Sequence, residues 1–252
     1  MSTGFSSVLR RLAPALVALP FLLPAPAAGQ SGEGFLFGSP RGSIAFKAGY
    51  AMPTAGSQIF DFVSDELTLS KRDFNAPWFE GEIGVRVSDR VDVLFDVAYS
   101  RSERDSEFRD WTDTNDLPIE QRTMFRRVPV SLGFKYYLGD TGRRISSLAW
   151  VPAKWTPYVG AGAGIIWYRF SQVGDFVDFE TLDIFVDNFI SEGHSGTVHA
   201  LAGVDYSLSA RAALTGEARY QYAKGPMGAD FVDFDDLDLA GFQVTAGLKF
   251  RF

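Results

Sequence analysis

Residues Val91-Asp-Val-Leu-Phe-Asp-Val-Ala-Tyr-Ser100 alternate with a period of two. Val91, Val93, Phe95, Val97 and Tyr99 share one face, and Asp92, Leu94, Asp96, Ala98 and Ser100 share the other. Strict alternation marks a β-strand with two unlike surroundings. The two aspartates on its polar face need partners or water. A soluble barrel turns the apolar face inward, whereas a barrel in lipid turns it outward. Periodicity alone does not choose between them.

The same pattern recurs along the chain. It predicts eight strands, at 42–50, 77–87, 91–101, 122–138, 156–170, 196–208, 211–223 and 238–252. In the fourth, Val128, Val130, Leu132, Phe134 and Tyr136 oppose Arg127, Ser131, Gly133 and Lys135. In the last, Phe242, Val244, Ala246, Leu248, Phe250 and Phe252 oppose Gln243, Thr245, Gly247, Lys249 and Arg251.

Three features favour lipid outside. Long connections (51–76, 102–121, 171–195, 224–237) alternate with tight ones at 88–90 and 209–210, as in barrels with external loops and short periplasmic turns. The connection 139–155 is long where a short one is expected, and Trp150 or Trp155 is expected to anchor it at the lipid boundary. Aromatic residues fall near strand ends: Tyr50, Trp78, Tyr99, Trp167 and Tyr222 at one level, Tyr136, Tyr206, Phe250 and Phe252 at the other. Two such girdles suit two membrane interfaces. The chain also ends on Thr245-Ala-Gly247-Leu-Lys-Phe250-Arg-Phe252, and a terminal strand of this kind can add to an open sheet edge.

The N-terminus reads as an export signal. Arg10 and Arg11 precede an apolar run over 12–23, followed by Ala25-Pro-Ala27-Ala-Gly29. Cleavage after Ala27 or Gly29 is expected, since twelve residues broken by Pro14 and Pro20 are too short to span the bilayer. The expected domains are a signal peptide at 1–29, a periplasmic segment at 30–41 and a barrel at 42–252. The net charge of -7 argues against nucleic acid, and the absence of cysteine excludes disulfides and thiolate metal sites.

The glycine-rich strand 156–170 (TPYVGAGAGIIWYRF), the segment 213–222 (ALTGEARYQY) and the closing GLKFRF resemble the small outer-membrane barrels of the outer-membrane protein W and outer-membrane protein A type. The terminal motif, with Thr245, Gly247, Phe250 and Phe252, resembles the insertion signal of such barrels. The resemblance implies an all-β, transmembrane, antiparallel up-and-down barrel of eight strands in the outer membrane of a Gram-negative-type bacterium. It also implies passage through the barrel assembly machinery. Roles in this group vary, so no single activity follows.

With the apolar face outward, an ionic network is expected in the lumen. It would contain Lys47, Glu80, Glu82, Arg86, Asp92, Asp96, Arg127, Lys135, Asp205, Glu217, Arg219 and Lys249. Eight strands leave room for little besides side chains, so a plugged interior is favoured over an open pore. Gly160, Gly162 and Gly164 would line its wall and permit curvature.

The external loops carry a repeat. Asp175-Phe-Val-Asp-Phe179 returns as Asp230-Phe-Val-Asp-Phe234, with a weaker echo at Asp61-Phe-Val63. Carboxylates at Asp175, Asp178, Asp230 and Asp233 are candidates for divalent cations, which would bridge the loops to lipopolysaccharide phosphates. Solvated charge with phenylalanines packing the loops is the plainer alternative, and a β-extension formed by the loops is another. His194 with Ser195 is weak material for lipid hydrolysis or acyl transfer. The sequence therefore favours a non-enzymatic barrel without cofactors, acting in structure or surface interaction. A narrow passive channel for small or hydrophobic solutes is the alternative, and a lipid A-modifying enzyme is a more distant one.

Overall fold

The computed structural model describes residues 35–113, 115–145, 149–178 and 181–252. The expected signal peptide lies outside the described residues. Eight strands close into one barrel: β1 (Gly42–Pro53), β2 (Ala76–Ser88), β3 (Val91–Thr112), β4 (Pro118–Tyr137), β5 (Trp155–Val177), β6 (Ile184–Ser207), β7 (Ala212–Tyr222) and β8 (Gly241–Arg251). Each pairs antiparallel with its neighbours in sequence, and β8 pairs with β1 to close the ring. The Phe252 carbonyl accepts the amides of Arg41 and Gly42 at 2.8 and 2.9 Å, which seals the seam at its end.

Burial settles which face meets lipid. Phe46 is 64% exposed and Leu132 63%, whereas Glu82 and Lys135 are each 1% exposed. A sheet that buries its charges and exposes its hydrocarbon is built for a bilayer. Among the described residues no helix is long and apolar enough to cross a membrane.

Four pairs of strands rise to the outer side, and two of them run well past the expected ends. β3 and β4 continue through 102–121, and β5 and β6 occupy most of 171–195. The period of two continues there because each strand keeps a neighbour to bond: Ser102, Ser106, Gln121 and Thr123 stay buried on the inner face. The β-extension anticipated for the Asp-Phe-Val repeat therefore forms at 175–177. The second copy instead enters a short 3-10 turn at Ala229–Phe231. β8 begins at Gly241 rather than 238, because Leu237–Asp238 pairs with Lys224–Gly225.

The anomalous connection after β4 also has an explanation. Gly142–Arg144 and Ala149–Pro152 pair as a hairpin, and Leu36–Phe37 adds to it as a third strand. Trp150 is buried there with Leu36 and Ala210, so it is not at the lipid boundary as expected. Trp155 is exposed, its ring 4.5 Å from that of Tyr206.

Candidate functional site

The lower lumen is filled by ion pairs from facing strands. Lys47 Nζ lies 2.7 Å from Glu80 Oε1, 2.8 Å from Glu82 Oε2 and 3.0 Å from Glu217 Oε1. Lys135 reaches Glu82 at 2.8 Å and Glu217 at 3.1 Å. Arg219 spans Glu80 and Asp96, both at 2.8 Å, and Glu217 at 3.2 Å. Nearer the periplasm, Lys249 pairs with Asp205 at 3.0 Å and donates to the Tyr137 hydroxyl at 2.7 Å. That hydroxyl donates to Asp92 Oδ2, also at 2.7 Å, and Arg86 pairs with Asp92 from the other side. Desolvated charges need this density of partners, because a single unpaired ion costs several kcal/mol.

Glycines make space for it. Gly247 stands opposite Lys47 across the closing seam, and a Cβ there would meet the Phe46 carbonyl oxygen at 2.0 Å. Gly160, Gly162 and Gly164 line the inner wall as expected. Cβ atoms there would strike the carbonyl oxygens of Phe134, Leu132 and Val130 at 2.3, 2.7 and 2.1 Å, so it is close backbone approach that requires glycine.

Two assignments need correction. Arg127 is inside but not in the network. It lies higher, with Nη1 donating to the Leu239 carbonyl at 3.2 Å, its guanidinium over the Phe125 ring, and Nη2 without a hydrogen-bond partner. Parity put it on the polar face, but depth along the strand, which parity does not report, put it among aromatic rings. Without it, Lys47, Arg86, Lys135, Arg219 and Lys249 pair with Glu80, Glu82, Asp92, Asp96, Asp205 and Glu217, and Arg251, buried on the same face with its Nη1 donating to the Ser207 hydroxyl at 3.0 Å, brings the lower lumen to six cations and six anions. Trp78 is not a girdle residue. It shares the inner face with Glu80, is fully buried, and donates from Nε1 to Glu80 Oε2 at 3.1 Å. Tyr50, Tyr99, Trp167 and Tyr222 are exposed, as a girdle requires.

Above the ions sits an apolar stopper that the sequence reading missed. The first external connection contains helix α1 (Gln58–Glu66), which buries Ile59, Phe60 and Val63 in the barrel mouth. Phe60 meets Phe74, Phe125 and Phe170 with ring centroids 4.8, 5.5 and 5.8 Å apart. Ile166, Tyr168 and Leu239 complete the same core. The spacing of Ile59, Phe60 and Val63 on one helical face was the available signal.

The loop repeat supplies clasps to this stopper. Phe62 touches Phe234, Phe234 touches Phe231, Phe231 touches Phe189 and Phe189 touches Phe176, with centroids 5.7, 6.2, 6.1 and 4.5 Å apart. Carboxylates following the second copy secure α1. Asp235 Oδ1 accepts the Gln58 amide at 2.9 Å, and Asp238 Oδ2 accepts the Gly56 amide at 2.8 Å. Acids at a helix N-terminus satisfy free amides and complement the helix dipole. Beside them, Ser70 donates its hydroxyl and amide to Asp73 Oδ2, each at 2.8 Å, which holds the Asp73 carboxyl below the usual carboxylate range.

Two of the four cation candidates hold backbone amides. Asp178 accepts the Thr181 amide, Asp230 accepts the Ile190 amide, and none of the four joins a group of three potential ligands among the described residues. The group that does exist is Glu80, Glu82 and Glu217, with ligand atoms within 4.8 Å of one another. Lys47 already places its ammonium among them. His194 is paired in register with Trp167 and faces outward, while Ser195 faces the other way and donates to the Lys224 carbonyl. Adjacent strand residues cannot converge on one substrate atom. His199 is buried in the lumen with Nε2 unpartnered.

Comparison with known proteins agrees with the barrel. The family model described as outer membrane protein beta-barrel domain matches residues 15–250. The chain belongs to this family. Membership places this outer-membrane barrel in a Gram-negative-type envelope. No curated protein matches the sequence. Among solved structures, Neisserial surface protein A is similar over 84% of this chain and 97% of its own, at 15% identity and TM-score 0.45. Outer membrane protein OprG of Pseudomonas aeruginosa is similar over 86% and 99%, at 13% identity and TM-score 0.45. Escherichia coli outer membrane protein W is similar over 85% and 98%, at 18% identity and TM-score 0.36.

Proposed function

We propose that this outer-membrane barrel is a sealed, non-enzymatic envelope protein acting through its external face. The observation that carries this is the double closure of the lumen. A neutralised ionic layer lies beneath an aromatic stopper, and the stopper is formed by a helix that other loops hold in place. Ions crossing the first layer would have to break buried salt bridges, and polar solutes crossing the second would have to be desolvated among phenylalanines. The outward and inward orientations of His194 and Ser195 support the absence of hydrolytic chemistry. The terminal strand, with Phe250 and Phe252 exposed toward lipid, is the element offered to the assembly machinery.

Conductance of the refolded protein in a planar bilayer tests the proposal. No unitary steps and no solute-dependent swelling of proteoliposomes are expected. Steady conductance through the wild-type barrel would overturn it in favour of a passive channel.

A further inference from the structure

Three arginines stand side by side on the outer wall. Arg101 on β3 is paired in register with Arg126 on β4, and Arg126 with Arg169 on β5. Like charges directly opposite across strands are destabilising without a counter-ion. Glu103 pairs with Arg101, and Glu192 lies 3.2 Å from Arg169. Arg126, at the centre, has no hydrogen bond or ion pair among the described residues. Arg169 Nε is buried without a partner.

The height of the row identifies the occupant. All three side chains face away from the lumen, because their neighbours Ser100, Ser102, Phe125, Arg127, Tyr168 and Phe170 are the buried ones. Two residues below them toward the membrane, Tyr99 and Trp167 are exposed as the outer girdle. Girdle aromatics mark the headgroup level, and two residues of strand rise about 7 Å. The row therefore meets the outer leaflet where its charged headgroups begin. Guanidinium groups bind phosphate oxygens in bidentate fashion, so an anionic headgroup would satisfy Arg126 and neutralise the row it shares with Arg101 and Arg169.

We propose that Arg101, Arg126 and Arg169 form a binding site for the phosphates of a glycolipid in the outer leaflet, of the lipid A type. This contact is direct and needs no bridging cation.

The test uses the full mature protein in phosphatidylcholine nanodiscs, titrated with diphosphoryl lipid A, with lipid A stripped of both phosphates, and with inorganic phosphate. Diphosphoryl lipid A should bind most tightly. Arg126→Gln should weaken it about fivefold, and the triple Gln variant about a hundredfold, given the usual gain per basic residue at an anionic surface. Arg126→Lys should fall between wild type and Arg126→Gln, because it keeps the charge and loses the bidentate fork. Lys71→Gln, which removes a charge from the first external connection, where it pairs with Asp61 at 2.6 Å, should change little. Heat-dependent gel mobility verifies that each variant is folded, and the single variant suffices if the triple is not. Equal binding of the phosphate-free lipid, an unchanged affinity in Arg126→Gln, or an equal loss in Lys71→Gln would overturn the site. Displacement of lipid A by inorganic phosphate at comparable concentration would overturn its assignment to a lipid.

Discussion

Lys135 Nζ donates to both carboxylate oxygens of Glu82, at 2.9 and 2.8 Å, across the lumen from β4 to β2. Neither strand neighbours the other in the ring, so the pair ties the wall through its interior. Glu82 also holds Lys47, so Glu82→Ala leaves two buried ammonium groups short of an acceptor. The expected cost is about 3–5 kcal/mol of stability. Glu82→Met combined with Lys135→Met should cost less than either single change, because both charges leave together. Urea unfolding in lipid vesicles, followed by tryptophan fluorescence, gives the comparison.

Arg127 should behave in the opposite way. Its recorded hydrogen bond is to a backbone carbonyl, and a second nitrogen is unpaired. Arg127→Met keeps the stem volume and strands no carboxylate, since both Asp238 oxygens accept amides from Gly56 and Ala240. A change within about 1 kcal/mol of wild type is expected in the same unfolding experiment. A loss as large as that of Glu82→Ala would place Arg127 back in the network.

The contrast between Arg127 and Lys135 shows how far the sequence could be read. Alternation is imposed by two surroundings on the two faces, so strand number, order and inward positions were legible from residue types alone. Trp78 was legible too, since it has the parity of Glu80 and Glu82 and so faces the lumen with them. Depth was not legible, because the inner face changes from ionic to aromatic part-way up β4 and β5 without breaking the period of two. The stopper was hidden for a related reason. Its helix is nine residues long and lies in an acidic connection, and only three-dimensional closure brings Phe60 against Phe125 and Phe170.

The two layers of the seal can be separated. Phe60→Ala removes the centre of the stopper and should cost about 3–5 kcal/mol, part of it from the cavity left behind. It should not open the barrel, because the ionic layer beneath remains. Planar-bilayer recordings should stay silent for Phe60→Ala. Unitary conductance in that variant would show that the aromatic layer alone holds the seal.

Closure of the ring depends on Gly247. A Cβ at that position would lie 2.0 Å from the Phe46 carbonyl oxygen and 2.7 Å from the Lys47 Cα, both backbone atoms that cannot rotate away. Gly247→Val should therefore prevent stable pairing of β8 with β1, and the compact, faster-migrating band in unheated gels should disappear. Phe252→Ala removes an exposed ring and leaves the backbone bonds of the seam intact, so its compact band should persist.

Acid should loosen the barrel mouth at the Ser70–Asp73 cap. Ser70 holds the Asp73 carboxyl below its ordinary pKa, so this cap favours the folded loop at neutral pH. A depressed carboxylate contributes fully above the unfolded-state value of about 3.9, and the contribution is lost as pH falls through the folded-state value. Amide exchange read by mass spectrometry should show the peptide containing Ser70 losing protection as the pH is lowered below about 4, after correction for the intrinsic exchange rate. Asp73→Asn should show that weaker protection already at neutral pH and lose its pH dependence. Unchanged protection in Asp73→Asn would mean that the segment Lys71–Phe74 is held by the burial of Phe74 alone.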